Sequence, residues 1–143
     1  MSFNRKAQRQ IRHLRIRQKV KGTAERPRMA IFISNKHMYV QFIDDVAMKT
    51  LASASSLKDE ASANLAEAKV IGQRAAEAAK AANISLVVVD RGGFKFHGRV
   101  KEIVDSAVEA GLKISEKPPK PPKPPKAEAA EKKPADKKAK EKK

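Results

Sequence analysis

Ile84-Ser85-Leu86-Val87-Val88-Val89, five aliphatic residues and one serine, follow directly on a stretch from Ala61 to Ala82 made almost entirely of helix formers. An unbroken, mostly β-branched run after a helix predicts a central strand, buried on both faces and reached by a parallel crossover. The helix before it carries Ala61, Leu65, Ala68, Gly72, Ala75, Ala79 and Ala82 at spacings of 4, 3, 4, 3, 4 and 3. A stripe of side chains this small lets a long helix lie close on a sheet.

Working outward from that strand, Val100, Ile103, Val104, Ala107 and Val108 form the apolar face of a second helix. Lys101, Glu102, Asp105 and Glu109 lie opposite, and Gly111 stands in C-terminal capping position. Leu112 to Ile114 is expected as a short edge segment. Upstream, three strands form a meander. Met29-Ala30-Ile31-Phe32-Ile33 is a short apolar run ending in the turn formers Ser34-Asn35-Lys36. Met38 to Ile43 is rich in β-formers and closes on Asp44-Asp45. In Lys49 to Ser56, Leu51, Ser53 and Ser55 alternate with Thr50, Ala52 and Ala54, giving one small-residue face. The order is βββαβα, an α/β layer fold with a mixed sheet packed by helices.

Charge divides the 143 residues into three parts. Residues 1–28 hold ten Lys/Arg against one acid, residues 29–115 eleven against ten, and residues 116–143 eleven against five, which accounts for the net +16. The expected organisation is therefore a basic arm (1–28), an α/β body (29–115) and a Pro/Lys/Ala-rich disordered tail (116–143). Cation excess set at the ends of a nearly neutral body points to a polyanionic partner, with nucleic acid as the default and binding rather than turnover as the chemistry.

In the arm, Arg5, Arg9, Arg12 and Arg15 recur at helical spacing beside a thin apolar stripe of Ala7, Ile11 and Leu14. That stripe is too thin to anchor a free helix, so the arm is expected to fray in isolation and to be ordered by its partner. Gly22 breaks it, and Pro27 biases Arg26 toward extended geometry. In the tail, Lys117, Lys120, Lys123 and Lys126 repeat every third residue among prolines. A polyproline rod rising about 3.1 Å per residue would stack them on one face, as a solvated spacer or a tether to RNA phosphates.

Several classes are disfavoured. With no cysteine and three scattered histidines (His13, His37, His97), neither disulfides nor a thiolate metal site can form, and no metal or other cofactor is expected. No apolar stretch approaches the roughly 18 residues of a membrane span and no secretory h-region is evident, so a soluble cytoplasmic protein is expected; the Arg-rich start also suits an organellar transit peptide. The chain has neither GxGxxG nor GxxxxGK[ST]. Asp44 or Asp45 with Asp90 would build the carboxylate cluster of a metal-dependent nuclease, but two turn formers and one loop opener explain the same residues more simply. A general nucleic-acid compaction protein, suggested by the Lys/Pro/Ala tail, is the rival from another class.

Two loops concentrate polar chemistry: Ser34-Asn35-Lys36-His37, leading to Tyr39 and Gln41, and Asp90-Arg91-Gly92-Gly93-Phe94-Lys95-Phe96-His97-Gly98-Arg99. The second alternates rings with Lys95 and His97, which suits an RNA backbone, although core packing is the expectation for at least one of Phe94 and Phe96.

These same residues carry a resemblance. Gly22-Thr23-Ala24-Glu25-Arg26-Pro27-Arg28, the segment from Ser34 to Asp45 and the loop from Asp90 to Val100 closely resemble, in family order, the bacterial-type large-subunit ribosomal protein eighteen, over roughly Arg5 to Ile114. The resemblance implies a non-enzymatic, monomeric component of the cytoplasmic ribosome, without small-molecule substrate. It would bind 5S rRNA and help attach it to 23S rRNA in the central protuberance, alongside ribosomal protein five. It implies a ribonuclease H-like layout without the active site. Carried onto matching positions, the RNA contacts would be Arg9, Arg12, Arg15, Arg17, Lys19 and Lys21 in the arm, then Arg26 and Arg28. Asn35, Lys36, His37, Tyr39 and Gln41 would follow from the hairpin, and Arg91, Lys95, His97 and Arg99 from the glycine loop. Family members usually stop near Ser115, so the resemblance assigns the extension no role.

Overall fold

The computed structural model describes residues 4–57 and 63–115; the expectation for the tail lies outside the described residues, as does Ala61 itself. The elements run α1 (Arg5–Arg17), β1 (Arg28–Ile33), β2 (Met38–Asp44), β3 (Lys49–Ser55), α2 (Leu65–Ala81), β4 (Leu86–Asp90), α3 (Arg99–Glu109) and β5 (Lys113–Ile114).

The five strands form one mixed sheet in the order β3-β2-β1-β4-β5. β1, β2 and β3 pair antiparallel as the expected meander, whereas β4 lies parallel to β1 and β5 parallel to β4. Alternation in β1 and β2 sends Met29, Ile31, Ile33, Met38, Val40 and Phe42 to one face, where Ala68, Ile71, Ala75 and Ala79 of α2 and Val100, Ile103 and Val104 of α3 complete the core. Ala52 and Ala54, the small side chains of β3, pack against that core.

Three expectations need correction. β4 is not buried on both faces: Leu86, Val88 and Val89 are only half-buried, because α2 and α3 share one side of the sheet and the other side is mostly uncovered. The small-residue stripe makes its tightest approach to α3 rather than to the sheet. A Cβ placed on Gly72 would stand 2.6 Å from the Ile103 carbonyl oxygen and 2.1 Å from Ser106 Oγ, so only hydrogen fits between these helices. α2 begins at Leu65, where Asn64 Oδ1 accepts a 2.8 Å hydrogen bond from Glu67 N and caps the helix.

α3 ends as its glycine predicts. Gly111 adopts φ +101°, Leu112 N donates to Ala107 O at 3.1 Å and Gly111 N to Val108 O at 2.8 Å, a Schellman closure that buries Leu112. Val108, assigned above to the apolar face, is exposed in the last turn of α3.

Candidate nucleic-acid interface

The basic arm is a helix seated on the body. Asn4 Oδ1 caps α1 by accepting from Lys6 N and Ala7 N, at 3.1 and 3.3 Å. The thin apolar stripe is not the docking side, since Ile11 and Leu14 face solvent. The helix meets the glycine loop instead, where Arg9 Nη1 donates to the Gly92 carbonyl at 3.2 Å and Arg12 Nε to the Gly93 carbonyl at 3.1 Å. Gly93 has φ +78°, and a Cβ there would lie 2.4 Å from the Arg9 carbonyl oxygen, so glycine is required both by the turn and by the helix resting on it. The frayed arm expected from composition is replaced by a docked one, because backbone carbonyls supply what the apolar stripe lacks.

The C-terminal end of α1 is fastened by charge. Arg17 grips Asp45 with both terminal nitrogens, Nη1 to Oδ2 at 3.1 Å and Nη2 to Oδ1 at 3.2 Å, while Gly22 N donates to Oδ2 at 2.8 Å. Arg28 donates to the same carboxylate through Nε and Nη2 and reaches Asp90 Oδ2 through Nη1 at 3.3 Å. Asp90 is almost fully buried; it also accepts from Gly92 N at 2.9 Å, and His13 Nε2 lies 3.5 Å away. The Arg28 guanidinium holds the Asp45 carboxyl far below the usual carboxylate range against the opposing effect of burial, helped by Gly22 N–H and Arg17. Hydrogen bonding to Asp45 in turn raises the pKa of Arg28.

This arrangement bears on two sequence expectations. Asp45 and Asp90 do converge, but Arg28 lies between them as a counter-cation, and Asp44 turns away to accept from Val46 N and Ala47 N in the β2–β3 turn. Among the described residues no group of three or more His, Asp or Glu side chains is placed to hold a metal ion. Arg28 itself, expected at the RNA surface, has a side chain only 10% exposed and serves the fold.

Five of the expected cations gather around the seam between α1 and the glycine loop. One groove of about 430 Å³ is lined by Arg12, Arg15, Ile16, Lys19, Val20, Val89 and Arg91, and an adjoining one by Arg12, Arg91 and Lys95. Among the described residues the two together present five cations and no carboxylate. Arg91 shapes the loop by donating from Nη1 to the Phe94 carbonyl. Lys95 also borders a cleft of about 240 Å³ shared with Asn35, His97 and Arg99, so hairpin and glycine loop meet there. Arg99 Nη1 fixes that junction, donating to Ala63 O at 2.8 Å and to Ser34 O at 3.4 Å.

Other expected residues stand apart. Lys21 and Lys36 are exposed, and Arg26 lies by the end of the sheet, with Nη1 3.0 Å from Ser115 Oγ. His37 is held by its backbone N–H to Ser34 Oγ at 2.9 Å, and its Nδ1 is buried with no hydrogen-bond partner among the described residues. Tyr39 and Gln41 lie on the uncovered sheet face. Phe94 is half-buried against the core as expected for one of the two rings, whereas Phe96 is exposed. The sequence reading passed over Phe32, which is exposed beside Tyr39, and the structural part of Asp45.

Known proteins resemble this chain over most of its length. The family described as ribosomal L18 of archaea, bacteria, mitochondria and chloroplasts matches residues 3–114. The chain is 53% identical over 116 residues to a protein of Pseudothermotoga lettingae, covering 77% of this chain and 95% of the relative. It is 56% identical over 103 residues to one of Lactobacillus acidophilus, covering 71% and 87%. Over 118 residues it is 50% identical to one of Thermosynechococcus vestitus, covering 78% and 98%. Each of the three is named large ribosomal subunit protein uL18.

Proposed function

Because the chain belongs to the ribosomal L18 family, and is thus a structural ribosomal protein and not an enzyme, we propose that it binds 5S rRNA and helps attach it to 23S rRNA. Its place would be the central protuberance of the large subunit in the cytoplasmic ribosome, as a monomer beside ribosomal protein five. The observation that carries this reading is the pair of adjoining grooves with Arg12, Arg15, Lys19, Arg91 and Lys95 and, among the described residues, no acid. A group of cations at the seam of two elements suits the negative charge of an RNA backbone and gains affinity by releasing its counterions.

In this reading α1 and the glycine loop hold phosphates, and the hairpin residues Asn35, Lys36 and His37 with Tyr39 and Gln41 contact a second part of the RNA. His97 and Lys95 join the two sets, while Arg9, Arg17, Arg28 and Arg99 hold the scaffold in position. Lys21 and Arg26 add charge at the margin. Base edges are poorly readable in a paired RNA helix, so shape, 2′-hydroxyls and unpaired nucleotides supply selectivity. The layout is ribonuclease H-like, a reading supported by the antiparallel β3-β2-β1 meander extended by parallel β4 and β5. Residues 1–28 and 29–115 then act as one binding unit, and 116–143 as an extension dispensable for binding.

A gel shift of 5S rRNA with excess duplex DNA competitor at physiological salt tests the assignment. Retention of the 5S rRNA complex is expected. Equal displacement by duplex DNA would replace this reading with general nucleic-acid compaction.

A further inference from the structure

The ring of Phe32 is 48% exposed on the sheet face that α2 and α3 leave uncovered. It is not isolated. Its centroid lies 6.1 Å from that of Tyr39, its cross-strand partner, at an interplanar angle of 48°, and 6.5 Å from that of Phe94, edge-on at 73°. The chain has only six Phe and Tyr residues, and three of them meet here. On the far side of Phe94 the Arg9 guanidinium stands 4.8 Å over the ring, which fixes it and brings positive charge to the edge of the cluster.

The surroundings indicate what would cover this ring. Next to Tyr39 on the same face come Gln41 and, paired with these two across β3, Ser55 and Ser53, all three exposed. A single aromatic shelf among amides, hydroxyls and cations is a poor seat for an apolar protein surface, which would need a broader apolar patch. It suits a nucleobase, whose π face stacks on a ring while its edge meets polar groups and its phosphate meets a cation.

We propose that Phe32, braced by Tyr39 and Phe94, is a stacking platform for an unpaired base of the bound RNA. The proposal rests on the RNA-binding reading above and names the part of the RNA involved. Within a continuous duplex both faces of a base are covered by its neighbours, so a shelf of this kind engages a loop, bulge or end. Gln41, two residues beyond Tyr39 on the same face, is placed to hydrogen-bond the edge of that nucleotide.

The test uses the full chain and 5S rRNA across a salt series, with Phe32→Leu, which keeps most of the packing on Phe94, and Phe32→Trp, which keeps a ring. Loss of one stacked base weakens binding by roughly tenfold or more, and because stacking releases no counterions the slope of log affinity against log salt stays unchanged. Phe32→Leu is therefore expected to give a parallel, lower line, and Phe32→Trp to bind like the parent, with unfolding midpoints of all three proteins alike. Parent-like binding by Phe32→Leu, a changed slope, or equal loss in Phe32→Trp would overturn the platform while leaving the RNA reading intact. Failure of the parent chain to bind 5S rRNA would overturn both.

Discussion

Arg28 Nη2 stands 2.7 Å from Asp45 Oδ1 and Arg28 Nε 2.9 Å from Asp45 Oδ2, so the first residue of the inner strand and a turn carboxylate are joined by two charge-assisted hydrogen bonds. The same carboxylate holds Arg17 of the arm and the backbone of Gly22. An acid in a strongly cationic protein thus organises the cations around it.

Asp45→Asn makes the protein more positive, yet it is expected to weaken 5S rRNA binding. The neutral amide can no longer hold two guanidinium groups, and removing one partner of a mostly buried pair costs about 3 kcal/mol. Tryptic cleavage within residues 5–19 should accelerate. Tighter RNA binding in filter assays would show that Asp45 acts only as a repulsive charge.

Stability should fall with acid through the same residue. In the unfolded chain Asp45 protonates near the ordinary value of about 3.9, whereas in the folded protein its pKa lies far lower. Its stabilising contribution is complete above that ordinary value and is lost as the pH falls from there toward the folded one. Urea unfolding between pH 5 and 2 should show a shallower acid dependence in Asp45→Asn than in the parent; parallel curves would remove Asp45 from the account.

Gly93→Ala is expected to displace α1 without damaging the core. The added methyl meets the Arg9 carbonyl oxygen, and φ +78° is strained for alanine, by about 1–3 kcal/mol. Faster proteolysis of the arm with weaker RNA binding should accompany a small shift in the unfolding midpoint of the body.

Arg15→Gln and Lys19→Gln, both in the groove, should each reduce the steepness of the salt dependence by roughly one, and deletion of residues 1–21 should flatten it severely. An unchanged slope after the deletion would reject the arm as the main electrostatic contact.

Removing residues 117–143 is expected to leave both the unfolding midpoint and 5S rRNA binding nearly intact. A clear fall in the midpoint would show that the extension stabilises the body.

The sheet and its helices were legible because the chain states them locally. Alternation in Met38 to Ile43, the apolar run through Val89 and the glycine after α3 each report the geometry of their own neighbourhood. Docking of α1 was not legible, since its acceptors are the carbonyls of Gly92 and Gly93, which carry no side-chain signature. Asp45 resembled a turn former because its partners Arg17 and Arg28 lie 28 and 17 residues upstream. Phe32 was hidden inside Met29-Ala30-Ile31-Phe32-Ile33, where every residue is apolar and period two is invisible to a binary reading. The start of α2 was misplaced for a simpler reason: Asn64 followed by Glu67 marks an N-terminus that a run of alanines obscures.

The hydrogen bonds that seat α1 join residues 81 and 83 positions apart. During synthesis at about 5–20 residues per second, the first helix therefore emerges several seconds before its resting place has been made. For that interval the nascent chain presents a detached polycation in a cytosol crowded with RNA, and formation of β4 with the glycine loop that follows it is what retracts it into a defined shape. Selectivity is in this sense acquired only once the glycine loop has been made.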